Sequence, residues 1–230
     1  MRLDRFLGNL PQLNRADARL LLARGQVQVD GQVVRDGRHD VREFSRIQLD
    51  DEVLQAGKPA RYFMLNKPAG VVSATEHPEH RTVLDLLDEP DKHELHIGGR
   101  LDLNTTGLLL ITNDGLWSRR LTEPRSRLGK VYRVQAEQPI TPEYIEVFAQ
   151  GLYFAYEDLT TLPAELEITG SHSALLTLHE GRYHQVKRMF GHFQNKVIDL
   201  HRERMGPLLL DPDLAPGQYR ALSPDEISRV

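Results

Sequence analysis

Leu3, Phe6, Leu7 and Leu10 recur at the i, i+3, i+4, i+7 spacing of one helix face, and Pro11 ends that helix. Asn14 is a good N-cap, with Asp17 three residues on in place of the usual Glu. Gly25 stands where a left-handed glycine closes a helix. The spacing predicts a second helix between them, with Ala16, Leu20 and Ala23 as its apolar face and Arg15 and Arg19 one turn apart on another. Gln26-Val27-Gln28-Val29 alternates as a strand, Asp30-Gly31 is a two-residue hairpin turn, and Gln32-Val33-Val34 returns. Two small helices and a hairpin in so short a stretch enclose little core, so the unit needs a neighbouring surface.

Gln55-Ala56-Gly57-Lys58-Pro59 reads as a linker, dividing a module of residues 1–57 from a larger domain of residues 58–230. In the larger part Arg61-Tyr62-Phe63-Met64-Leu65-Asn66-Lys67 predicts a buried strand broken by Pro68, and residues 81–87 a short helix. Residues 108–112 and 130–136 predict strands. Residues 141–150 predict a helix with Thr141 as cap and Pro142 at its first position. Two more strands fall within residues 162–178. Residues 181–196 suit a helix with Val186, Met189, Phe190 and Phe193 on one face. Strands without strict alternation with helices indicate an α+β fold, with a mixed, largely antiparallel sheet flanked by helices.

Composition narrows the chemistry. The 230 residues are 40% hydrophobic and 27% charged, a globular balance. With no cysteine, disulfides, thiolate metal sites and cysteine nucleophiles are excluded. The N-terminus runs into no long apolar segment, and no stretch approaches the ~20 residues of a membrane span. A monomeric cytoplasmic protein is the expectation. A net charge of −4 argues at first against a nucleic-acid partner, but the basic residues cluster. Residues 1–24 hold five Arg against two Asp, and residues 100–133 hold seven Lys or Arg against three acids. Residues 180–204 hold six against three, with three His. Basic patches on an acidic chain suit specific RNA contact better than promiscuous binding.

Three segments carry candidate chemistry. Gly99-Arg100-Leu101-Asp102-Leu103-Asn104-Thr105-Thr106-Gly107-Leu108 sets an acid at the mouth of an apolar strand, where sites are commonly built. From the residues alone, Asp102 is either a site acid or a turn cap aided by two threonines. In Leu128-Gly129-Lys130-Val131-Tyr132, Lys130 and Tyr132 share a strand face. Tyr132 is either a platform for a base or an ordinary half-buried tyrosine. In Glu180-Gly181-Arg182-Tyr183-His184-Gln185-Val186-Lys187-Arg188-Met189-Phe190, a helix brings His184, Lys187 and Arg188 to one side, as a solvated basic face or as cations aimed at a carboxylate. His184, His192 and His201 have no carboxylate at a familiar metal-ligand spacing. No phosphate loop, dinucleotide glycine pattern or nucleophile elbow is present, and no metal or cofactor is expected.

In this order the segments closely resemble the bacterial pseudouridine synthases of the RsuA type, nearly end to end. Arg61 to Pro68 and Leu200-His201-Arg202-Glu203-Arg204 match as well. Arg2-Leu3-Asp4, Arg15-Ala16-Asp17-Ala18-Arg19 and Arg24 to Gly31 resemble the S4 RNA-binding module. The resemblance implies that Asp102 is the catalytic aspartate, that Tyr132 packs on the target base, and that Lys187 pairs with the aspartate. It further implies that Leu200 lines the uracil pocket and that Arg100 contacts substrate. Arg15, Arg19, Arg24, Arg182 and Arg188 would contact RNA. The implied substrate is 16S ribosomal RNA, at uridine 516, free or in an assembling small-subunit particle. Two alternatives remain. The first is a synthase for 23S large-subunit RNA, against which stand Lys187, the 200–204 segment and the lack of a basic tail. The second is a non-catalytic, rRNA-binding assembly factor, against which stand Asp102, Tyr132 and Lys187 together.

Overall fold

The computed structural model describes residues 1–230 apart from the side chain of Pro124. It divides into two compact units, Met1–Ala60 and Arg61–Val230.

The first unit holds α1 (Leu3–Gly8), α2 (Arg15–Arg24) and four short strands, β1 (Val27–Val29), β2 (Gln32–Val33), β3 (Ile47–Leu49) and β4 (Glu52–Gln55). The strands form an antiparallel sheet in the order β2-β1-β3-β4. The sequence reading anticipated only the first hairpin. The second turns on Asp50-Asp51, a pair without the glycine that marks Asp30-Gly31. The α2 cap forms as expected: Asn14 Oδ1 accepts from the Ala16 and Asp17 amides at 2.8 and 3.0 Å, while Asp17 accepts from the Asn14 amide. Gly25 takes φ +72° at its end. The expected apolar face is wrong, however. Ala18 and Leu22 pack against Leu3, Leu7, Val27 and Ile47, whereas Ala16, Leu20 and Ala23 are exposed. Apolar residues at 16, 18 and 20–23 surround this ten-residue helix, so periodicity alone does not select the buried side.

The second unit is built on β5 (Tyr62–Lys67), β6 (His96–Gly98), β7 (Thr106–Thr112), α3 (Gly115–Thr122), β8 (Lys130–Ala136) and α4 (Glu143–Gln150). There follow β9 (Tyr153–Phe154), β10 (Leu159–Thr160), β11 (Glu165–Gly170), β12 (Ser173–Leu178), α5 (Gln185–Gly191) and β13 (Val197–Met205). Then come β14 (Leu208–Leu209), β15 (Tyr219–Ala221) and α6 (Pro224–Ser228). Nine strands make one sheet in the order β11-β12-β8-β13-β7-β5-β15, with β14 on β13 and β6 on β7. Only β13 and β7 run parallel, and their pairing is short. The α+β fold with a mixed, largely antiparallel sheet is as the patterning indicates.

The central strands are apolar on both faces because both are covered. Phe63, Leu65, Leu109 and Ile111 face one core with Tyr144 and Phe148 of α4 and Met189 and Phe190 of α5. Met64, Leu108 and Leu110 face the other with Trp117 and Leu121 of α3. Two expected helices are shorter than their patterns. Residues 83–86 form a single 3₁₀ turn closed by Thr82 and Asp85. The 181–196 segment is helical only from Gln185 to Gly191. Ahead of it Gln185 accepts from the Arg182 amide and donates to Glu180, and His184 adopts φ +50°. These bonds hold residues 180–184 in a turn that a helix could not make. Helix α4 starts at Glu143 with Pro142 as its N-cap and no side-chain cap, so Thr141 does not cap it. Among the described residues no helix is long and apolar enough to cross a membrane.

Candidate active site

A cleft of about 1100 Å³ opens where the parallel pair β13–β7 joins the two halves of the sheet, and Asp102 lies on its wall. Asp102 sits in the loop from β6 to β7, and neighbours on both sides fix that loop. Ser73 donates to the Leu101 carbonyl at 2.7 Å and accepts from the Leu101 amide at 3.1 Å. Lys67, at the end of β5 and fully buried, donates to the carbonyls of Leu103, Thr105 and Pro68 at 2.9–3.0 Å. The carboxylate therefore projects from a segment anchored one residue before it and one after.

Lys187 Nζ lies 3.3 Å from Asp102 Oδ2, and His184 Nε2 lies 3.6 Å from the same oxygen. Lys187 comes from the first turn of α5 and His184 from the residue that precedes it. The left-handed backbone at His184 turns its ring back onto Asp102 and stacks it on Tyr183, centroids 3.8 Å apart. Each of the three side chains is roughly one-third exposed. Tyr132 and Leu200, both buried, line the cleft floor, and Arg100 and Arg182 line its rim. Arg182 also donates to Glu180 at 3.1 Å.

Arg188, expected to contact RNA, is engaged within the protein. Its guanidinium forks onto both oxygens of Glu157 at 2.6 and 2.7 Å and lies 3.6 Å above the Phe154 ring. It braces the β9–β10 hairpin against α5. In the first unit, Arg15, Arg19 and Arg24 are exposed on α2, as a phosphate-contacting role requires.

Sequence reasoning gave no role to Arg202, which is buried beneath the cleft. It donates to the carbonyls of Leu108 and Gly99 at 2.8 and 2.6 Å and to Tyr132 Oη at 3.4 Å. The cleft floor is consequently cationic. Burial, reinforced by the Arg202 charge, pushes Lys67 down to about 8, while Asp102 pulls the other way. Burial and Arg202 also lower the pKa of Lys130, against the opposing pull of Glu180. Among the described residues no three His, Asp or Glu side chains gather as a metal site.

Lys67 couples the Asp102 loop to pH. A protonated lysine offers three N–H donors and meets three carbonyls; a neutral one offers two. The loop that holds Asp102 should loosen as pH rises through about 8, and the single-turnover rate should fall roughly 3–10-fold. The folded pKa lies below the unfolded 10.5, so the buried charge opposes folding below about 8. That opposition disappears as pH climbs towards 10.5. This group thus makes folding more favourable over the window in which activity declines. Rate and melting temperature measured against pH check it; a rate level across the window would leave Lys67 without influence on the loop.

One carboxylate faced by two nitrogenous side chains, over a floor bearing an aromatic ring and buried cations, defines an enzyme cleft suited to a flat polar ring. The sequence pattern of the RNA pseudouridylate synthase family matches residues 61–192, and the chain belongs to that family. It is 65% identical, over the whole of both chains, to a ribosomal small subunit pseudouridine synthase A of Pseudomonas aeruginosa. It is 46% identical, again over the whole of both, to the protein of that name from Escherichia coli K12. A crystal structure of a pseudouridylate synthase superposes with a TM-score of 0.72 at 39% identity, covering 100% of this chain and 99% of that one.

Proposed function

We propose that this protein converts one uridine of 16S small-subunit ribosomal RNA, uridine 516, to pseudouridine, with Asp102 as the catalytic carboxylate. The observation that carries the reading is the convergence of Lys187 and His184 on one oxygen of Asp102, in the cleft that Tyr132 also lines. Full-length identity to small-subunit synthases supports the choice of RNA.

The reaction breaks the N1–C1′ bond, turns the uracil, and joins C5 to C1′. C5 gives up a proton and N1 gains one, so product and substrate are isomers and no co-reactant is consumed. One carboxylate beside the sugar suffices. Hydrolysis of a glycosidic bond uses a second carboxyl group to handle water, and none is required here. The uridine must leave its stack at a cost of a few kcal/mol. A ring such as Tyr132 recovers part of that, since base stacking is worth ~1–3 kcal/mol. Lys187 orients Asp102, Leu200 covers the base and keeps water from the detached uracil, and Arg100 and Arg182 meet the strand at the rim. Residues 1–57, as an S4-like module, supply affinity through Arg15, Arg19 and Arg24. The setting is the cytoplasm, with the RNA free or in an assembling particle.

The test is incubation with unmodified ribosomal RNA followed by chemical mapping of pseudouridine. A single new pseudouridine in the small-subunit RNA is expected. Modification of the large-subunit RNA, or none at all, would reject the proposal. The module is tested separately. Arg15→Ala with Arg19→Ala should weaken binding of the same RNA and flatten the plot of log affinity against log salt by roughly 2, about one unit per phosphate contact. An unchanged slope would mean that both arginines face solvent in the complex.

A further inference from the structure

Arg202 is 1% exposed, yet its donors go to two backbone carbonyls and one hydroxyl, and no carboxylate of the described residues pairs with it. A buried guanidinium normally has an acidic partner, because an unbalanced charge is costly to remove from water. The chain tolerates that cost at one particular place. Gly99 and Leu108 are the first and last residues of the ten-residue segment that contains Asp102, and the third bond reaches Tyr132 on another strand. Both glycines of the segment are packed close to β13. At Gly99, φ +91°, a Cβ would stand 2.8 Å from Met205 Cε. At Gly107, φ +102°, a Cβ would stand 2.3 Å from the Arg202 carbonyl oxygen. Side chain and backbone of Arg202 therefore close the Asp102 segment at both ends.

We infer that Arg202 is a positioning residue, whose single planar fork fixes Asp102 relative to Tyr132. This rests on the pseudouridine synthase reading above. The uracil has to rotate between two bonds to C1′ while it stays on the ring, and the carboxylate has to stay beside the sugar. The separation of acid and ring is the dimension that both half-reactions share. A rigid fork that touches both supports fixes that dimension directly, whereas two unrelated contacts would let each support drift. A misplacement of about 1 Å costs on the order of 10²-fold in rate.

The experiment uses the full chain and the small-subunit RNA. Lysine keeps the charge but cannot reproduce the fork. Arg202→Lys is expected to keep RNA affinity, measured in an Asp102→Asn background, within about twofold of the parent. At saturating RNA it should slow single turnover about 100-fold, a loss in kcat rather than in KM. Tyr132→Phe removes one limb of the fork and keeps the ring, and should slow the same step about tenfold. The double variant should be no slower than Arg202→Lys alone. A parent-like rate for Arg202→Lys, or additive losses, would overturn the inference, as would a loss confined to affinity. Should Arg202→Lys fail to fold, Tyr132→Phe decides: a slowed rate supports the inference and a parent-like rate overturns it. If the parent itself forms no pseudouridine, it is the function that fails, and that is seen before any variant is made.

Discussion

Asp102→Asn is expected to abolish pseudouridine formation, a loss of at least ~10³-fold, or roughly 4 kcal/mol of barrier, while the protein folds and binds RNA as before. The asymmetry follows from where the carboxylate is held. Its backbone is fixed by Ser73 on one side and Lys67 on the other, and neither contact uses the carboxylate itself. The side chain's own partners are Lys187 and His184, at 3.3 and 3.6 Å and partly open to solvent. Ion pairs of that exposure contribute ~0–1 kcal/mol to stability. Asparagine keeps the size and loses only the charge, so a shift in melting temperature of no more than a few degrees is expected. In the proposed reaction the charge would face a sugar carbon that becomes electron-poor as the glycosidic bond breaks, and an amide would not answer it. Single-turnover assay with calorimetry and RNA binding on one preparation checks the prediction. Clear turnover by the asparagine variant would remove Asp102 from the chemistry.

What could be read from the sequence, and what could not, divides by the range of the interaction. The α2 cap, the Asp30-Gly31 turn and the Asp102 loop are local devices. Their residues lie within three or four positions of one another and are legible without a fold. The buried side of α2 was not legible, because apolar residues line more than one of its faces and only Leu3, Val27 and Ile47 decide between them. The 181–196 segment looked helical because its apolar spacing is correct. Its first turn is displaced by the bonds of Glu180 to Leu162 and Gln185, which depend on the β10–β11 loop arriving from elsewhere. Resemblance alone pairs Lys187 with Asp102 in the sequence. His184 was placed on the same helix face, and it reaches Asp102 by leaving the helix instead. Arg202 is the extreme case. Its partners are 70, 94 and 103 residues away, so the 200–204 segment shows a family match and nothing near Arg202 in the chain assigns it a role.

Lys187→Met should slow single turnover about 100-fold or more, and Lys187→Arg should keep measurable activity. In the free protein the Lys187–Asp102 pair is partly exposed and weak. With RNA filling the cleft the same two charges lose their water, and their interaction grows several-fold as the effective dielectric falls. Removing one partner then leaves a carboxylate without its counter-charge and free to swing away from the sugar. Methionine keeps the aliphatic stem against α5 and removes the ammonium alone. Arginine keeps the charge on a wider, stiffer head, and at 3.3 Å there is little room for it, so part of the rate should be lost through misplacement. His184 limits the damage, since it addresses the same Oδ2. A cycle of Lys187→Met, His184→Gln and the double variant therefore has a definite expected form. Each single change leaves one hold on the carboxylate, and the double change loses more than the product of the two single losses. Measured rates that simply multiply would mean that the two residues act independently. A methionine variant with the parent's rate would reduce Lys187 to a surface charge.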